Sequence, residues 1–288
     1  MIDHLRITVL VENTAKERGL LAEHGLAFWI ETNGQSVLFD TGQGNALVVN
    51  AFRLGIALRE LDAVVLSHGH YDHTGGLANA LQGNRALAIY AHPDALRPKF
   101  ARGTDGSSRD IAMPTASAEA IERRRQRLVL TDKPSDLGNG LMVTGTIPRV
   151  TDFEDAGGPF FLDSECRKPD PLLDDQAVYF VCEQGAVVLL GCAHAGVINT
   201  LRYVQELTDD RPIHAVLGGM HLSGASSSRL NATIDALQRM NISCLAPAHC
   251  TGREATLALW NAMPERCIPC HVGSQFTFCL PKSLSKGA

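Results

Sequence analysis

Long apolar runs, abundant cysteine and a net positive charge are all missing from this 288-residue sequence. No stretch approaches the roughly 18 to 20 apolar residues that a membrane span requires, so we expect no membrane segment. Eight cysteines are too few for a disulfide scaffold in a chain of this length, which favours buried thiols in a reducing compartment. The formal net charge of -5 supplies no basic field for nucleic acid. With 45% hydrophobic residues, the sequence predicts an ordinary soluble globular protein.

Two patterns bear on the cellular compartment. The first residues, MIDHLRITVLVEN, mix acidic and polar residues into the apolar run. They predict a first strand and not a signal peptide, so we expect cytoplasmic residence. The segment Cys267-Ile268-Pro269-Cys270-His271 matches the attachment pattern of c-type haem, which generally requires export. Pro269 and the strand-like residues after it favour a loop that enters a closing strand, so a chance match is the preferred interpretation.

The apolar periodicity predicts an α/β chain built from two similar halves. Three early strands form a meander, and helices then alternate with strands. In the first half the predicted strands cover 5–11, 26–31, 36–39, 62–66 and 87–91, and the helices cover 46–54 and 75–82. In the second half we expect strands at 141–146, 177–182 and 186–190, a helix at 197–207, and two further strand and helix units. This alternation predicts mixed sheets flanked by helices in one domain, 1–288, with halves at about 1–97 and 138–288.

The stretch 98–134 departs from this rhythm. RGTDGSSRD is rich in Gly, Ser and charge, and SAEAIERRRQRL predicts an amphipathic helix. We expect an insertion that covers the functional edge as a lid, since loops on rigid α/β frames commonly close over a site. Its arginines would then meet an anionic group of a ligand. The alternative is an exposed excursion that serves solubility or a subunit contact, and the cluster 123–127 by itself is best interpreted as a solvated helix face.

Three histidines and an aspartate fall within six positions of the segment VVLSHGHYDHTGG. We expect His68, His70, Asp72 and His73 to lie in the connection between a buried strand and a helix that starts near Thr74. Two imidazoles separated by one residue can turn toward one cation, and the adjacent Asp-His pair can serve a second. Mixed imidazole and carboxylate ligands suit zinc, iron or manganese better than calcium. The segment therefore predicts a site for two divalent metal ions.

Three strands of the second half end at a histidine. They are VVLLGCAH, which ends at His194, HAVLGGMH, which ends at His221, and ISCLAPAH, which ends at His249. Strands of one sheet that end alike bring their last residues to one edge, so these histidines can converge on the same site. The isolated histidines are predicted to be ordinary core or surface residues: His4, His24 and His214.

The pattern H-x-H-x-D-H after a buried strand, followed by Thr-Gly-Gly, resembles the metallo-β-lactamase superfamily of dinuclear metallohydrolases. LFDTG at 38–42 is similar to that superfamily's first motif. The resemblance implies that Asp40 orients the ligand loop from outside the metal shell, whereas an Asp that caps the following helix is the alternative. It also implies a four-layer αβ/βα sandwich of two mixed sheets flanked by helices, with the metal site at one edge.

Six segments resemble one branch of this superfamily and occur in the same order: ITVLVEN, LSHGHYDHTGGL, TGTIPRVTDFE, GCAHAGVIN, LGGMHL and PAHCTG. The branch is the 7,8-dihydropterin-6-methyl-4-(ribofuranosyl)aminobenzene-phosphate synthase group, and the resemblance covers nearly the whole chain. It favours a pterin or phosphoribosyl type of substrate. Because one fold serves many chemistries, phosphoester and acyl compounds also stay open.

The sequence departs from the superfamily's commonest pattern in two places. No G-H-T-x-G-H segment lies between residues 93 and 190, and no Asp follows position 191, where a bridging carboxylate is often found. We therefore assign His194 and His249 to the metal shell. For His221, three roles remain open: a metal ligand, a substrate contact or a proton shuttle. Cys192 is either a thiolate ligand or a buried thiol, with the thiol favoured. His92 is predicted to be a structural or edge residue, with a metal ligand as the alternative.

The predicted activity is that of a metal-dependent hydrolase or related transferase. Two ions, zinc first with iron or manganese as alternatives, would activate water and polarise a phosphoryl or acyl oxygen. Asp72 would help to hold the nucleophile, and His221 is the candidate acid or electrophile. We expect an anionic small-molecule substrate, and the sequence leaves open whether the chain forms a homodimer. The rival classes are a di-iron redox protein, which the lack of a flavodoxin-like extension disfavours, and a non-catalytic metal-binding protein.

Overall fold

The computed structural model describes residues 4–32, 34–83, 86–155 and 158–281. Its strands are β1 (His4–Val11), β2 (Ala27–Thr32), β3 (Gln35–Phe39), β4 (Ala63–Val65), β5 (Ala88–Ala91), β6 (Phe100–Arg102), β7 (Ser108–Asp110), β8 (Leu128–Leu130), β9 (Ser135–Gly138), β10 (Leu141–Val143), β11 (Phe160–Phe161), β12 (Val178–Cys182), β13 (Gly185–Leu190), β14 (Ile213–Gly219), β15 (Cys244–Ala248) and β16 (Gln275–Cys279). Its helices are α1 (Leu47–Arg53), α2 (Tyr71–Thr74), α3 (Leu77–Ala80), α4 (Thr115–Glu122), α5 (Val197–Leu207), α6 (Ser227–Arg239) and α7 (Arg253–Ala262).

Two large mixed sheets form the frame. The first has the strand order β16-β1-β2-β3-β4-β5-β8, and the second has the order β15-β14-β13-β12-β10-β9. In the first sheet, β3, β4, β5 and β8 run parallel, and the strands from β16 to β3 are antiparallel. In the second, β13, β14 and β15 run parallel. The carboxyl ends of β3, β4, β13, β14 and β15 lead into the candidate site, as in other open α/β sheets.

Three apolar cores separate four layers. Between the sheets, Phe28 and Phe39 of the first sheet share a core with Phe180 and Leu189 of the second. A second core joins the outer face of the second sheet to α5, α6 and α7. A third joins the outer face of the first sheet to α1, α3 and α4. Because β13 meets a core on each face, all its positions are buried, which explains its continuous apolar run. The predicted four-layer αβ/βα sandwich is confirmed.

The helix after the ligand loop begins earlier than the sequence predicts. α2 starts at Tyr71, so Asp72 and His73 lie in a helical turn and not in an open connection. A gap between α2 and α3 follows at the two glycines of the TGG segment. A Cβ at Gly76 would lie 2.2 Å from the carbonyl oxygen of Thr41, so this glycine permits the close approach of the segment after β3. The predicted helix boundary was wrong because the packing of Gly76 against Thr41 joins segments that are distant in sequence, which local patterns do not show.

The stretch 98–134 divides into two parts. Its second part joins the frame, since β8 pairs with β5 and α4 buries Ala120 and Ile121 in the third core. The predicted helix over 117–128 is therefore shorter, because the chain turns into β8 at Leu128. Its first part, β6 and β7, forms a separate sheet in the order β11-β6-β7. The carbonyl of Ile111, just after β7, accepts the N–H of Tyr71 at 3.0 Å, so this small sheet touches the ligand loop.

Two expectations from the composition concern membranes and disulfides. Among the described residues, no helix combines the length and the apolarity needed to cross a bilayer. The eight cysteines are free thiols. The buried ones are Cys166, Cys182, Cys192 and Cys267.

Candidate metal centre

Asp40, which follows β3, anchors the ligand loop at the end of β4. Its carboxylate accepts hydrogen bonds from the backbone N–H and the hydroxyl of Ser67, both at 2.7 Å. Because the single hydroxyl proton of Ser67 goes to Asp40, the Ser67 oxygen accepts the Nδ1–H of His68, 2.8 Å away. His68 therefore turns an unprotonated Nε2 toward the site. The positioning role that the resemblance implied for Asp40 agrees with these contacts.

The same carboxylate holds His73. Asp40 Oδ2 lies 2.6 Å from His73 Nδ1, and both side chains are fully buried. The backbone N–H and the hydroxyl of Thr41 each donate to the carbonyl of His73 at 2.8 Å. Burial by itself lowers the pKa of His73, but the charges of Asp40 and Asp72 outweigh burial and raise it to about 9. The Nε2 atom of His73 consequently faces the interior of the site.

His249, just after β15, is held by the end of β1. Glu12 Oε1 accepts the backbone N–H of His249 at 2.8 Å. Asn13 Oδ1 lies 2.9 Å from His249 Nδ1 and, as an amide oxygen, can only accept. His249 therefore carries its proton on Nδ1 and presents Nε2. These contacts explain the segment ITVLVEN, whose last two polar residues received no role from the sequence.

His68, His70 and His194 form one half of the site. His68 Nε2 lies 3.0 Å from His70 Nδ1. The ring of His194 is 4.8 Å from that of His68 and 5.0 Å from that of His70. His221, just after β14, places its ring 4.3 Å from that of His194. The convergence of the strand-end histidines on the ligand loop, expected from the sequence, is present.

Asp72, His73 and His249 form the other half, together with His24. Asp72 Oδ2 lies 3.1 Å from His24 Nε2, 3.3 Å from His249 Nε2 and 3.9 Å from His73 Nε2. His73 Nε2 and His249 Nε2 are 3.2 Å apart. Burial acts to raise the pKa of Asp72, but the charge of His73 and the contacts with His24 and His249 hold it well below its usual range. Asp72 is therefore an ionised carboxylate beside three imidazoles.

The ring nitrogens of this centre are arranged to hold cations. The Nδ1 atoms of His73 and His249 already donate hydrogen bonds, so neutral forms of both rings would direct their Nε2 lone pairs at each other across 3.2 Å. A cation relieves this repulsion, and a proton on His73, in keeping with its raised pKa, is the alternative to a metal ion. Burial lowers the pKa of His68, and lowers that of His70 to about 3, so both are neutral imidazoles as metal binding requires. His70 Nε2 is buried with no hydrogen-bond partner among the described residues.

Sets of three donor atoms that lie within 4.8 Å of one another occur throughout this centre. Together they make a cluster of His, Asp and Cys side chains that could bind metal ions. The sets are His68 with Cys192 and His194, His73 with Cys192 and His249, His24 with Asp72 and His249, and Cys192 with His221 and Cys250.

A buried ionic cluster supports the ligand loop from behind. Lys99 Nζ lies 2.9 Å from Asp170 Oδ2 and 2.9 Å from Asp174 Oδ1. Asp174 Oδ2 accepts the backbone N–H of Gly69 at 2.8 Å. Burial acts to lower the pKa of Lys99, but the two carboxylates outweigh it and raise the pKa. Another buried carboxylate, Asp175, accepts the backbone N–H of Ala195, the residue after His194, at 2.8 Å, and burial raises the pKa of Asp175 to about 7.

A cavity of about 180 Å³ opens beside the candidate metal centre. Its metal-side wall is formed by the histidines and thiols already described. The facing wall includes Arg109, just before the end of β7, and Phe160 of β11. The ring of Phe160 lies 5.2 Å from that of His70 and 5.3 Å from that of His194. Arg109 also lies over the ring of Tyr71, 5.9 Å from its centroid.

The sequence placed His4, His24, His92 and His214 outside the centre, and the contacts of His92 agree with that placement, whereas those of His24 do not. His92 caps the turn over Pro93–Leu96, with Nδ1 accepting the Asp94 N–H at 3.1 Å and Nε2 2.9 Å from the Thr146 hydroxyl. His24 was predicted to be an ordinary residue, yet it contacts Asp72 and lines the cavity. It lies in an irregular segment before β2, so no strand end or motif signalled it.

Two facing mixed sheets with imidazoles gathered at one edge define an αβ/βα protein with a candidate metal centre. Residues 21–249 match the family described as the metallo-beta-lactamase superfamily. The chain belongs to this superfamily. One solved structure, described as a metal-dependent hydrolase of the beta-lactamase superfamily, superposes with a TM-score of 0.79 at 26% sequence identity, over 94% of this chain and 98% of its own.

Two relatives come from Methanocaldococcus jannaschii. A 7,8-dihydropterin-6-methyl-4-(beta-D-ribofuranosyl)-aminobenzene-5'-phosphate synthase is 29% identical over 288 residues, which cover 96% of this chain and 98% of the relative. An uncharacterised protein is 32% identical over 258 residues, which cover 88% of this chain and 93% of the relative. The resemblance to the synthase group that the six segments indicated is thereby confirmed.

Proposed function

We propose that this protein is a metal-dependent hydrolase, or a related transferase, with a dinuclear metal site. His68, His70 and His194 would hold one ion, and Asp72, His73 and His249 would hold the second. The observation that carries the proposal is the 3.2 Å approach of His73 Nε2 and His249 Nε2, whose other ring nitrogens are already used as donors. Neutral imidazoles with one carboxylate suit zinc, with iron or manganese as alternatives.

The side chains around the cavity divide the catalytic work. Divalent ions at this site supply Lewis acidity and bring the pKa of water toward about 7. Asp72, as an ionised carboxylate, accepts a hydrogen bond from the attacking water and orients it. His24, 3.1 Å from Asp72 Oδ2, is placed to take up the released proton. His221, on the cavity wall beside His194, donates a proton to the leaving group or contacts the substrate oxygen.

The cavity suits an anionic small molecule that carries an aromatic ring. Arg109 offers a guanidinium fork to a phosphate or carboxylate. Phe160 and Tyr71 add aromatic rings to the lining of the cavity. The synthase relative's name describes a phosphate ester of a dihydropterin and a ribofuranosyl aminobenzene, which combines these features. The substrate is therefore a pterin or phosphoribosyl type of compound, with other phosphoesters and acyl compounds as the next classes.

The small sheet of β6, β7 and β11 serves as a lid in this proposal. The sheet contributes Arg109 and Phe160 to the cavity, and Ile111 follows directly after β7. The helical part of 98–134 belongs to the frame. Arg109→Ala should weaken binding of a phosphate-bearing ligand, and the loss should shrink as salt screens the charge. Arg123→Ala is the matched control, because that guanidinium forms an exposed pair with Glu119 at 3.2 Å on α4. Equal affinity of the parent and Arg109→Ala at low salt would contradict the lid.

Metal analysis of histidine variants tests the assignment of the ligands. The parent should bind two ions, and His68→Ala and His70→Ala should each lose one and abolish turnover while keeping the fold, because the cores lie in the strands. His214→Ala, a partly buried histidine on β14, should keep both ions. If both ligand variants bind as many metal ions per chain as the parent, the assignment of the ligands is wrong.

A panel of phosphoesters, lactones and nucleotides, together with an optical spectrum, separates the function from its rivals. Turnover that depends on the bound ions supports a hydrolase or transferase. A di-iron redox protein would instead contain iron and change its spectrum with oxygen or reductant. Two bound ions without turnover on any class of substrate would identify a metal-binding protein.

A further inference from the structure

Cys192 occupies the middle of the candidate metal centre. Its Sγ lies 3.2 Å from His73 Nε2. It is also the shared member of two donor sets, one with His68 and His194 and one with His73 and His249, each with its ligand atoms within 4.8 Å of one another. These two sets belong to the two halves of the site. A single sulfur atom is thus within reach of both proposed ions.

The backbone around Cys192 is fixed by close packing on both sides. A Cβ at Gly191 would lie 2.1 Å from the Ser67 hydroxyl oxygen, so the preceding residue must be glycine for the chain to pass the ligand loop. A Cβ at Gly219 would come within 3.3 Å of the Cys192 Cα, so β14 presses on the other side. Cys192 is 4% exposed. Its sulfur is therefore held at the centre by the sheet and is not a mobile surface thiol.

We propose that the Cys192 thiolate bridges the two metal ions. The inference rests on the proposed dinuclear site and adds a sulfur ligand to its imidazoles and carboxylate. When the ions bind, metal–sulfur bonds form, the S–H bond breaks, and the proton leaves to solvent. A thiolate is a soft ligand that favours zinc over magnesium, calcium or manganese. The bridge therefore narrows the choice of metal that the imidazoles leave open.

Cys250 is the natural comparison. It forms a donor set with Cys192 and His221, but it belongs to neither set that contains the ligand-loop histidines. Its Sγ lies 3.5 Å from the carbonyl oxygen of Cys192, so it contacts the backbone of the same segment. Cys250→Ala thus perturbs the same region and removes a neighbouring thiol without removing the proposed bridge.

Cobalt and cadmium report sulfur ligation without any assay of activity. The protein loaded with two equivalents of cobalt should show a thiolate-to-cobalt charge-transfer band in the near ultraviolet. The protein loaded with cadmium should give two cadmium NMR signals, both shifted downfield by sulfur, because one bridge serves both ions. Both signatures should persist in Cys250→Ala and disappear in Cys192→Ala. The affinity of Cys192→Ala for cobalt should fall by at least about tenfold, since even residues outside the metal shell contribute 10–100-fold.

The parent protein and Cys250→Ala test the bridge even if Cys192→Ala fails to fold. Two cobalt ions bound by the parent with no thiolate band would overturn the bridge but leave the dinuclear site intact. If only one of the two cadmium signals is shifted downfield by sulfur, Cys192 is a ligand of a single ion and the proposed bridge is wrong. Loss of the band in Cys250→Ala would assign the sulfur to Cys250. Failure of the parent to bind cobalt at all would overturn the proposed function itself.

Discussion

Removal of the Asp174 carboxylate tests whether a buried ionic cluster holds the ligand loop in place. Lys99 Nζ lies 2.9 Å from both Asp174 Oδ1 and Asp170 Oδ2, and the three side chains are at most 4% exposed. The second Asp174 oxygen accepts the N–H of Gly69 at 2.8 Å. Gly69 separates the first two histidines of the loop, so one carboxylate connects a buried cation to the proposed metal ligands.

The size of the effect follows from what Asp174→Ala leaves behind. Gly69 would keep a buried N–H without its acceptor, which costs about 1–3 kcal/mol. Loss of one partner from a buried ion pair costs roughly 3–5 kcal/mol, and Asp170 still neutralises Lys99, so the lower end applies. Together the two costs predict that the free energy of unfolding falls by about 4–6 kcal/mol, or roughly 8–24 °C in Tm. Asp174→Asn keeps an acceptor for Gly69 and should lose less.

Urea unfolding of the metal-free protein measures this change, and a metal titration measures its effect on the loop. Affinity should fall by about 10–100-fold in Asp174→Ala, as for other groups that orient metal ligands. Arg123→Ala, which breaks the exposed pair with Glu119, should change stability by less than about 0.5 kcal/mol. If Asp174→Ala stays within about 1 kcal/mol of the parent and binds metal equally well, the cluster does not support the loop.

Two further predictions concern the His73–Asp40 pair and the two cysteines of the C-x-x-C segment. The pKa of His73 is raised from 6.5 to about 9, so its pairing with Asp40 should stabilise the metal-free protein fully below pH 6.5 and lose that contribution as the pH rises through about 9. Urea unfolding in the presence of a chelator across this range should record the decline, and Asp40→Asn should flatten it. Cys267→Ser with Cys270→Ser should leave the absorption spectrum and activity of cytosolically made protein unaltered. A covalent haem band that disappears in the double variant would contradict the chance match.

The strands of the two sheets could be predicted from the sequence because burial requires continuous apolar runs. β13 is buried at all its positions and β1 at most of them, so their apolar runs were legible as strands without knowledge of their partners. The convergence of the strand-end histidines was predictable for a related reason. The residues that follow parallel strands share one edge, which brings His194, His221 and His249 to the ligand loop.

Contacts between distant segments were not predictable. Lys99 meets partners that lie 71 and 75 residues further along the chain, and no local pattern marks a buried lysine. The same holds for TGTIPRVTDFE, which was recognised only as a motif. In the structure Glu154 of this segment accepts the N–H groups of Ile198 and Asn199, both at 2.9 Å, at the start of α5. Such pairings depend on the packing of the two halves of the chain, which a single sequence does not reveal.

The outer hydrogen bonds of the imidazoles determine how the centre can respond to metal. Asp40 follows β3, Ser67 follows β4 and Asn13 follows β1, so the acceptors that set the direction of three rings stand at the ends of three strands of the first sheet. His249 follows β15 of the second sheet, and its bond to Asn13 therefore joins the sheets. Ring orientation is thus fixed by folding and not by the ion, which keeps the reorganisation on binding small. Because the unfolded chain has no such arrangement, bound metal should stabilise the contact between the two sheets by mass action.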